Sequence, residues 1–325
     1  MPHSSIVRLT LLPLLLLAGV AACASDESGE ASSADEAAPT SGAALLTAPD
    51  APRPADGMLF TISGLEGPEA VKYDYEQDVW FISNYGPNET DGANDGYIAK
   101  ASAETGEMIE LRFMTGPDET PLMEPRGMAL REDELWVVDA TGVHAFDRTT
   151  GAHLRFVDLA GMDVGFLNDV AVGPNGSLYV TDMGNNRVIR VRDGGGEVAV
   201  EGSRVGNPNG ITLDESTGEM VVVTWGTDAP RFRRWDPATG DLSMGERTPG
   251  GRYDGVEFVG SQILVASQVD QAIHLVTGDD GVPIQSTDGR PADIGADLRR
   301  LRVAVPYIAL DRVDVFSLTS TPAGM

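Results

Sequence analysis

The chain has 325 residues, 38 of them glycine, 6% aromatic residues and a formal net charge of −27. That length holds one domain of about 270 residues with extensions, and the charge sets nucleic acid aside as a partner. The only cysteine is Cys23, so an intrachain disulfide and thiol-pair redox chemistry are both excluded. Many glycines and few aromatics favour short strands and tight turns over long helices. Lysine occurs only at Lys72 and Lys100, and the excess of Asp and Glu reads as a solvated acidic surface.

In chain order, residues 1–22 have the layout of a signal peptide. His3 and Arg8 give a weakly basic start, and residues 9–22 form an apolar stretch broken once, by Pro13. The stretch is short for a membrane span and suits a secretory segment. It ends in Val20-Ala21-Ala22-Cys23, which resembles the lipobox of bacterial lipoproteins. The resemblance implies that Cys23 becomes the lipidated first residue. The protein would then sit at the bacterial cell envelope, held by its lipid alone, on the outer membrane and facing the periplasm or the cell surface. Residues 23–56, rich in Ala, Ser, Glu, Asp and Pro, bury too little to offset their ordering entropy and read as a flexible tether.

Residues 57–325 carry a repeat. Its corners read Pro68-Glu69-Ala70, Pro125-Arg126-Gly127, Leu167-Asn168-Asp169, Pro208-Asn209-Gly210, Tyr253-Asp254-Gly255 and Pro291-Ala292-Asp293. The middle residues are separated by 57, 42, 41, 45 and 38 positions. Several short strands per unit of about forty residues are the mark of a β-propeller. In the third unit, residues 168–172, 177–181 and 187–191 read as successive strands. The intervening Asp182-Met183-Gly184-Asn185-Asn186-Arg187-Val188 resembles NHL-type repeats. The last unit offers three strands, at 294–297, 301–306 and 312–318, where a blade needs four. An apolar strand at 57–62 is left over before the first corner. Pairing the two closes the ring and removes both open edges. The expected fold is therefore all-β, a six-bladed propeller closed by its N-terminal strand. A polar insertion at 85–97 is expected to lie over a binding face.

Equivalent corners bring their middle residues to one axis: Glu69, Arg126, Asn168, Asn209, Asp254 and Ala292. Four of these carry side-chain oxygens. An oxygen-only set suits a hard divalent cation, Ca²⁺ first, with Zn²⁺, Mn²⁺ and Mg²⁺ as alternatives. Zinc is the less natural choice, because no cysteine is near and His144, His153 and His274 match no ligand spacing. Turn formation does not require Glu69, whereas Asn and Asp at corners often cap backbone donors.

These corners are similar to those of the senescence-marker-protein/gluconolactonase/luciferin-regenerating-enzyme family, which includes the regucalcin-like lactonases. The resemblance implies a six-bladed propeller with a divalent ion in its channel, held by Glu69, Asn209 and Asp254. Asn168 would contact the substrate or the metal's water. The implied activity is hydrolysis of a lactone or ester; in our reading Asp254 takes a proton and Arg126 and Asn168 bind the substrate. Phe166 stands where the lactonases carry an Arg. Glu66 is a rival for the first ligand, and Glu69 is preferred because its step to Asp74 matches that from Asn209 to Asp214. The alternative reading is a non-catalytic NHL-like propeller binding a small ligand or a protein partner at the cell surface. An oxidoreductase or lyase on the same architecture is disfavoured, since no dinucleotide fingerprint or haem-type cysteine pair is present.

Overall fold

The computed structural model describes residues 57–87, 94–192, 194–227 and 230–319. The expected signal peptide and tether, with Cys23, lie outside them. So do residues 88–93 of the insertion after Tyr85.

Among the described residues, twenty-four strands form six antiparallel sheets of four. The first blade is β2 (Pro68–Asp74), β3 (Val79–Asn84), β4 (Tyr97–Ser102) and β5 (Met108–Met114). The second is β6 (Met128–Arg131), β7 (Glu134–Val138), β8 (Gly142–Asp147) and β9 (His153–Asp158). The third is β10 (Leu167–Val172), β11 (Leu178–Asp182), β12 (Arg187–Arg192) and β13 (Gly195–Glu201). The fourth is β14 (Pro208–Asp214), β15 (Glu219–Thr224), β16 (Arg233–Trp235) and β17 (Leu242–Met244). The fifth is β18 (Tyr253–Val259), β19 (Gln262–Ser267), β20 (Ala272–Thr277) and β21 (Asp280–Ser286).

The sixth blade joins the two ends of the domain. It runs β22 (Gly295–Asp297), β23 (Arg302–Tyr307), β24 (Arg312–Ser317) and then β1 (Met58–Ser63). Met58 pairs with Phe316 and Ile62 with Val313, so the strand left over in the sequence completes the blade. The innermost strands β2, β6, β10, β14, β18 and β22 touch in cyclic order. The six-bladed ring is closed as the repeat predicts.

The core is distributed in the same cyclic way. Each apolar cluster fills the space between two neighbouring blades rather than one centre. Val71 and Trp80 of blade one pack with Ala304, Val313 and Val315 of blade six. Tyr179 of blade three packs edge-on against Trp235 of blade four, with ring centroids 5.1 Å apart. Alternating side chains on each strand explain this: both faces of every sheet are covered by a neighbour, so both are apolar.

The Asp residues five positions beyond the corners are turn caps. Asp74 Oδ1 accepts from the amides of Glu76 and Gln77, Asp214 Oδ1 from that of Ser216, and Asp297 Oδ1 from those of Arg299 and Arg300. Each cap is also held by an arginine: Arg148 on Asp74, Arg234 on Asp214 and Arg300 on Asp297. Chain reversal after β2, β14 and β22 is thereby fixed by a charge-assisted pair on a buried carboxylate.

Candidate active site in the channel mouth

The corner side chains are aimed by a repeated irregularity. In β2, Pro68 pairs with Asn84 and Val71 with Ile82, with a register shift between them. The same shift separates Leu167 from Val170, Pro208 from Ile211 and Tyr253 from Val256. Each is a β-bulge, which inserts one extra residue and re-aims a side chain. Glu69, Asn168, Asn209 and Asp254 all sit in these bulges.

Bulging frees backbone amides, and the neighbouring strand recovers them. Ser83 Oγ accepts from the amide of Ala70, and Thr181 Oγ1 from that of Asp169. Thr181 Oγ1 then donates to the Asn209 carbonyl at 2.7 Å. Blade-to-blade bonds stitch the corners together. The Gly127 amide donates to the Asn168 carbonyl, and the Asp293 amide to that of Glu69. Behind four of the corners, a polar residue at or just past the end of the second strand holds the entry loop. Asn84 accepts from the amide of Glu66, Asp139 from Met123, Asp182 from Gly165 and Phe166, and Ser267 from Gly251. The segment at 182–188 contributes Asp182 to this device, with Arg187 Nε donating to its Oδ2 at 2.8 Å.

Glu69, Asn168, Asn209 and Asp254 line one cavity of about 480 Å³ at the corner end of the channel, and all four are buried. Asn209 Nδ2 donates to Asp254 Oδ1 at 3.1 Å and to the Tyr253 carbonyl at 3.0 Å. Gln268 Nε2 donates to Asp254 Oδ2 at 2.6 Å. This leaves two buried acceptors, Glu69 Oε2 and Asn209 Oδ1, with no hydrogen-bond partner. Burial pushes the Asp254 carboxyl up to about 7 against the opposing amide bonds of Gln268 and Asn209, with Asp169 adding repulsion. Burial, then the Asp254 charge, holds Glu69 well above the usual carboxylate range, although Arg126 opposes both.

Arg126 has a different place. It is buried but does not line the cavity. Its guanidinium stacks on the Phe166 ring at 4.1 Å, and its Nη1 donates to the Leu167 carbonyl at 2.8 Å. It therefore steadies the entry to the Asn168 corner, and Phe166 stands on the cavity wall. Ala292 is buried and supplies no polar group. Glu66 is part-exposed, paired with Arg112 at 3.0 Å, and does not line the cavity.

A second ring of cavity residues is absent from the corner pattern. Tyr85, Met183, Trp225, Gln268 and Ile308 all line the cavity. Each follows the last residue of the second strand of its blade, or of β23 in the sixth. The repeat carries this position too, but its residue types share no chemistry, so the pattern is silent until the strands are paired. Tyr85, Phe166 and Trp225 make the wall aromatic around an acidic floor.

The residues fit a divalent cation. Unpartnered buried acceptors are costly, and a cation between Glu69 Oε2 and Asn209 Oδ1 would satisfy both. The donor set is two carboxylates and two amides, and no group of three His, Cys, Asp or Glu side chains among the described residues is arranged for a metal.

Fold and site together define a six-bladed β-propeller with an oxygen-rich pocket at the corner end of its channel. No family model matches the sequence, and no curated protein does. Solved structures do resemble it. A gluconolactonase from Xanthomonas campestris is 17% identical, with a TM-score of 0.63 over 84% of this chain and 93% of that one. Virginiamycin B lyase from Staphylococcus aureus is 13% identical, with a TM-score of 0.54 over 79% of this chain and 98% of the lyase. A nidogen–laminin complex gives 16% identity and a TM-score of 0.50 over 70% of this chain and 93% of that one. At such identities the likeness is one of fold, shared by hydrolase, lyase and binding protein alike.

The raised carboxyls predict a pH dependence in chelator. Glu69, Asp169 and Asp254 have folded pKa values above their unfolded ones. The contribution of Asp169 and Asp254 is complete below the unfolded carboxylate range of about 4 and is lost as pH rises through about 7, and that of Glu69 is lost in the same direction. The melting temperature should therefore fall between about pH 5 and pH 8, with a shallower fall in Asp254→Asn. A melting temperature flat or rising across that window in the unsubstituted protein would contradict the assignment.

Proposed function

We propose that the chain is a metal-dependent hydrolase of lactone or ester type, gluconolactonase-like, anchored at the bacterial cell envelope through Cys23. The observation that carries the reading is the pair of unpartnered acceptors, Glu69 Oε2 and Asn209 Oδ1, beside a carboxyl poised near neutrality at Asp254. A divalent ion, Ca²⁺ first, would be held by Glu69, Asn209 and Asp254 with Asn168 beside them, and would supply Lewis acidity toward an ester carbonyl. Asp254 is suited to take a proton at one carboxylate oxygen, since a base works best with a pKa near the working pH. Asn168, whose side chain makes no hydrogen bond among the described residues, is free to orient a substrate oxygen. Arg126 acts as a positioning residue through Phe166 and the Leu167 carbonyl. Tyr85, Phe166 and Trp225 limit water around the reacting groups. The likeness to a gluconolactonase supports the reading as a fold able to host such a site.

A panel of γ- and δ-lactones and aryl esters, assayed with each of Ca²⁺, Zn²⁺, Mn²⁺ and Mg²⁺, tests the activity. Asp254→Asn should lower kcat/KM by about 100-fold or more, the range of a lost general base. Asp297→Asn, which alters only a turn cap, should leave it unchanged while lowering stability. No hydrolysis with any of the four ions, together with ligand binding to the same cavity, would favour the non-catalytic binding module instead. The envelope anchor rests on the Val20-Ala21-Ala22-Cys23 segment. Cys23→Ser should abolish metabolic labelling with a palmitate analogue, and persistent labelling would remove the lipoprotein assignment.

A further inference from the structure

At the other end of the inner strands lies a second cavity, of about 990 Å³, which the hydrolase reading does not use. Its floor comes from the residues that follow two of the corners, Asp169 and Asp293, and from Lys72 and Glu257 further along β2 and β18. Asp169 and Asp293 belong to the third and sixth blades, on opposite sides of the ring. Each carboxylate lies against a glycine of the preceding blade. A Cβ at Gly127 would stand 2.1 Å from Asp169 Oδ1, and one at Gly255 would stand 2.6 Å from Asp293 Oδ1.

These groups differ in how they are satisfied. Lys72 Nζ is 2.7 Å from Glu257 Oε1. Burial alone would lower the Lys72 pKa, but the Glu257 carboxylate outweighs it and the pKa rises. Asp169 accepts from the amides of Val170 and Ile211. Asp293 is only 8% exposed, lines the cavity, and its carboxylate accepts no hydrogen bond among the described residues. Burial, followed by the Asp169 charge, pushes it well above the usual range. Three carboxylates thus share one ammonium, and one of them is buried without a donor.

Beside the polar Thr212, Glu215 and Ser216, the walls carry a run of apolar side chains. Leu130, Val172, Leu213 and Phe258 are half-buried on the way out, and Leu298 is exposed at the mouth. A hydrated metal ion would leave that apolar surface unused, and an anion would meet the carboxylate excess. We propose that this cavity binds an organic ammonium ion with an apolar body, its head group donating to Asp293 and its chain lying along Leu213 and Phe258. Lys72 on Glu257 is the built-in example of the same contact, a primary ammonium on a half-buried carboxylate.

The test is calorimetric titration of the metal-free protein with hexylammonium at about pH 8, where the carboxylates are more fully ionised. Saturable binding is expected, with hexan-1-ol and hexanoate weaker by about ten-fold or more, as for loss of a charge-assisted hydrogen bond. Asp293→Asn should weaken hexylammonium by a similar factor. Lys72→Met should strengthen it by freeing the Glu257 carboxylate, a direction that partial unfolding cannot mimic. Asn209→Ala, at the other end of the channel, should leave it unchanged. The proposal is overturned by an absence of saturable binding, by equal binding of hexan-1-ol, or by loss of binding in Asn209→Ala with none in Asp293→Asn. None of these outcomes depends on whether lactones are hydrolysed.

Discussion

The β-bulge at the start of the inner strands is the constraint on which the site depends. An unbroken ladder would alternate its side chains between the two faces of the sheet, into the blade interfaces. One extra residue breaks that alternation, and Glu69, Asn168, Asn209 and Asp254 reach the channel instead. The bulge is tolerable because its amides are caught by Ser83 and Thr181 and its corners are tied to the next blade through backbone groups. Closure by β1 keeps that ring of ties complete.

Acidity accumulates in the channel as a result. Glu69 and Asp254 face one end and Asp169 and Asp293 the other, all buried, and for Glu69, Asp254 and Asp293 the charges of neighbouring carboxylates add to desolvation. Such crowding is unfavourable unless the groups take up protons or meet cations. Lys72 and Arg126 offset part of it, each in a different way. Lys72 projects among the carboxylates and pairs with Glu257, whereas Arg126 is spent on Phe166, Glu124 and the Leu167 carbonyl. The charge left over is consistent with the cations proposed for the two ends, an inorganic one among the oxygens of Glu69, Asn168, Asn209 and Asp254 and an organic one beside aliphatic walls.

The sequence carries the ring closely because each repeat repeats its chemistry. The corner triplets and the step near forty place the inner strands, and the missing strand of the last unit places β1. Boundaries moved by a residue or two, as for β22, which begins at Gly295 where 294 was expected. Four of the six corner residues were legible as one cavity because their side chains share oxygen. Arg126 was not, since only the fold shows Phe166 lying across its guanidinium. Gln268 and Trp225 were equally hidden, because the position after the second strand repeats in space but not in residue type. Asp169 and Asp293 looked like ordinary corner residues until the facing glycines, Gly127 and Gly255, were seen to make room for them.

The function proposed above depends most on Glu69 Oε2 and Asn209 Oδ1 being able to ligate a cation. Terbium, a hard ion that takes the oxygen ligands of Ca²⁺, reports this directly, since Trp225 and Tyr85 on the cavity wall would sensitise its emission. The account predicts emission that saturates, is displaced by Ca²⁺ and is lost in Glu69→Gln while the fold persists. Emission that is absent, or that is the same in Glu69→Gln as in the unsubstituted protein, would contradict it.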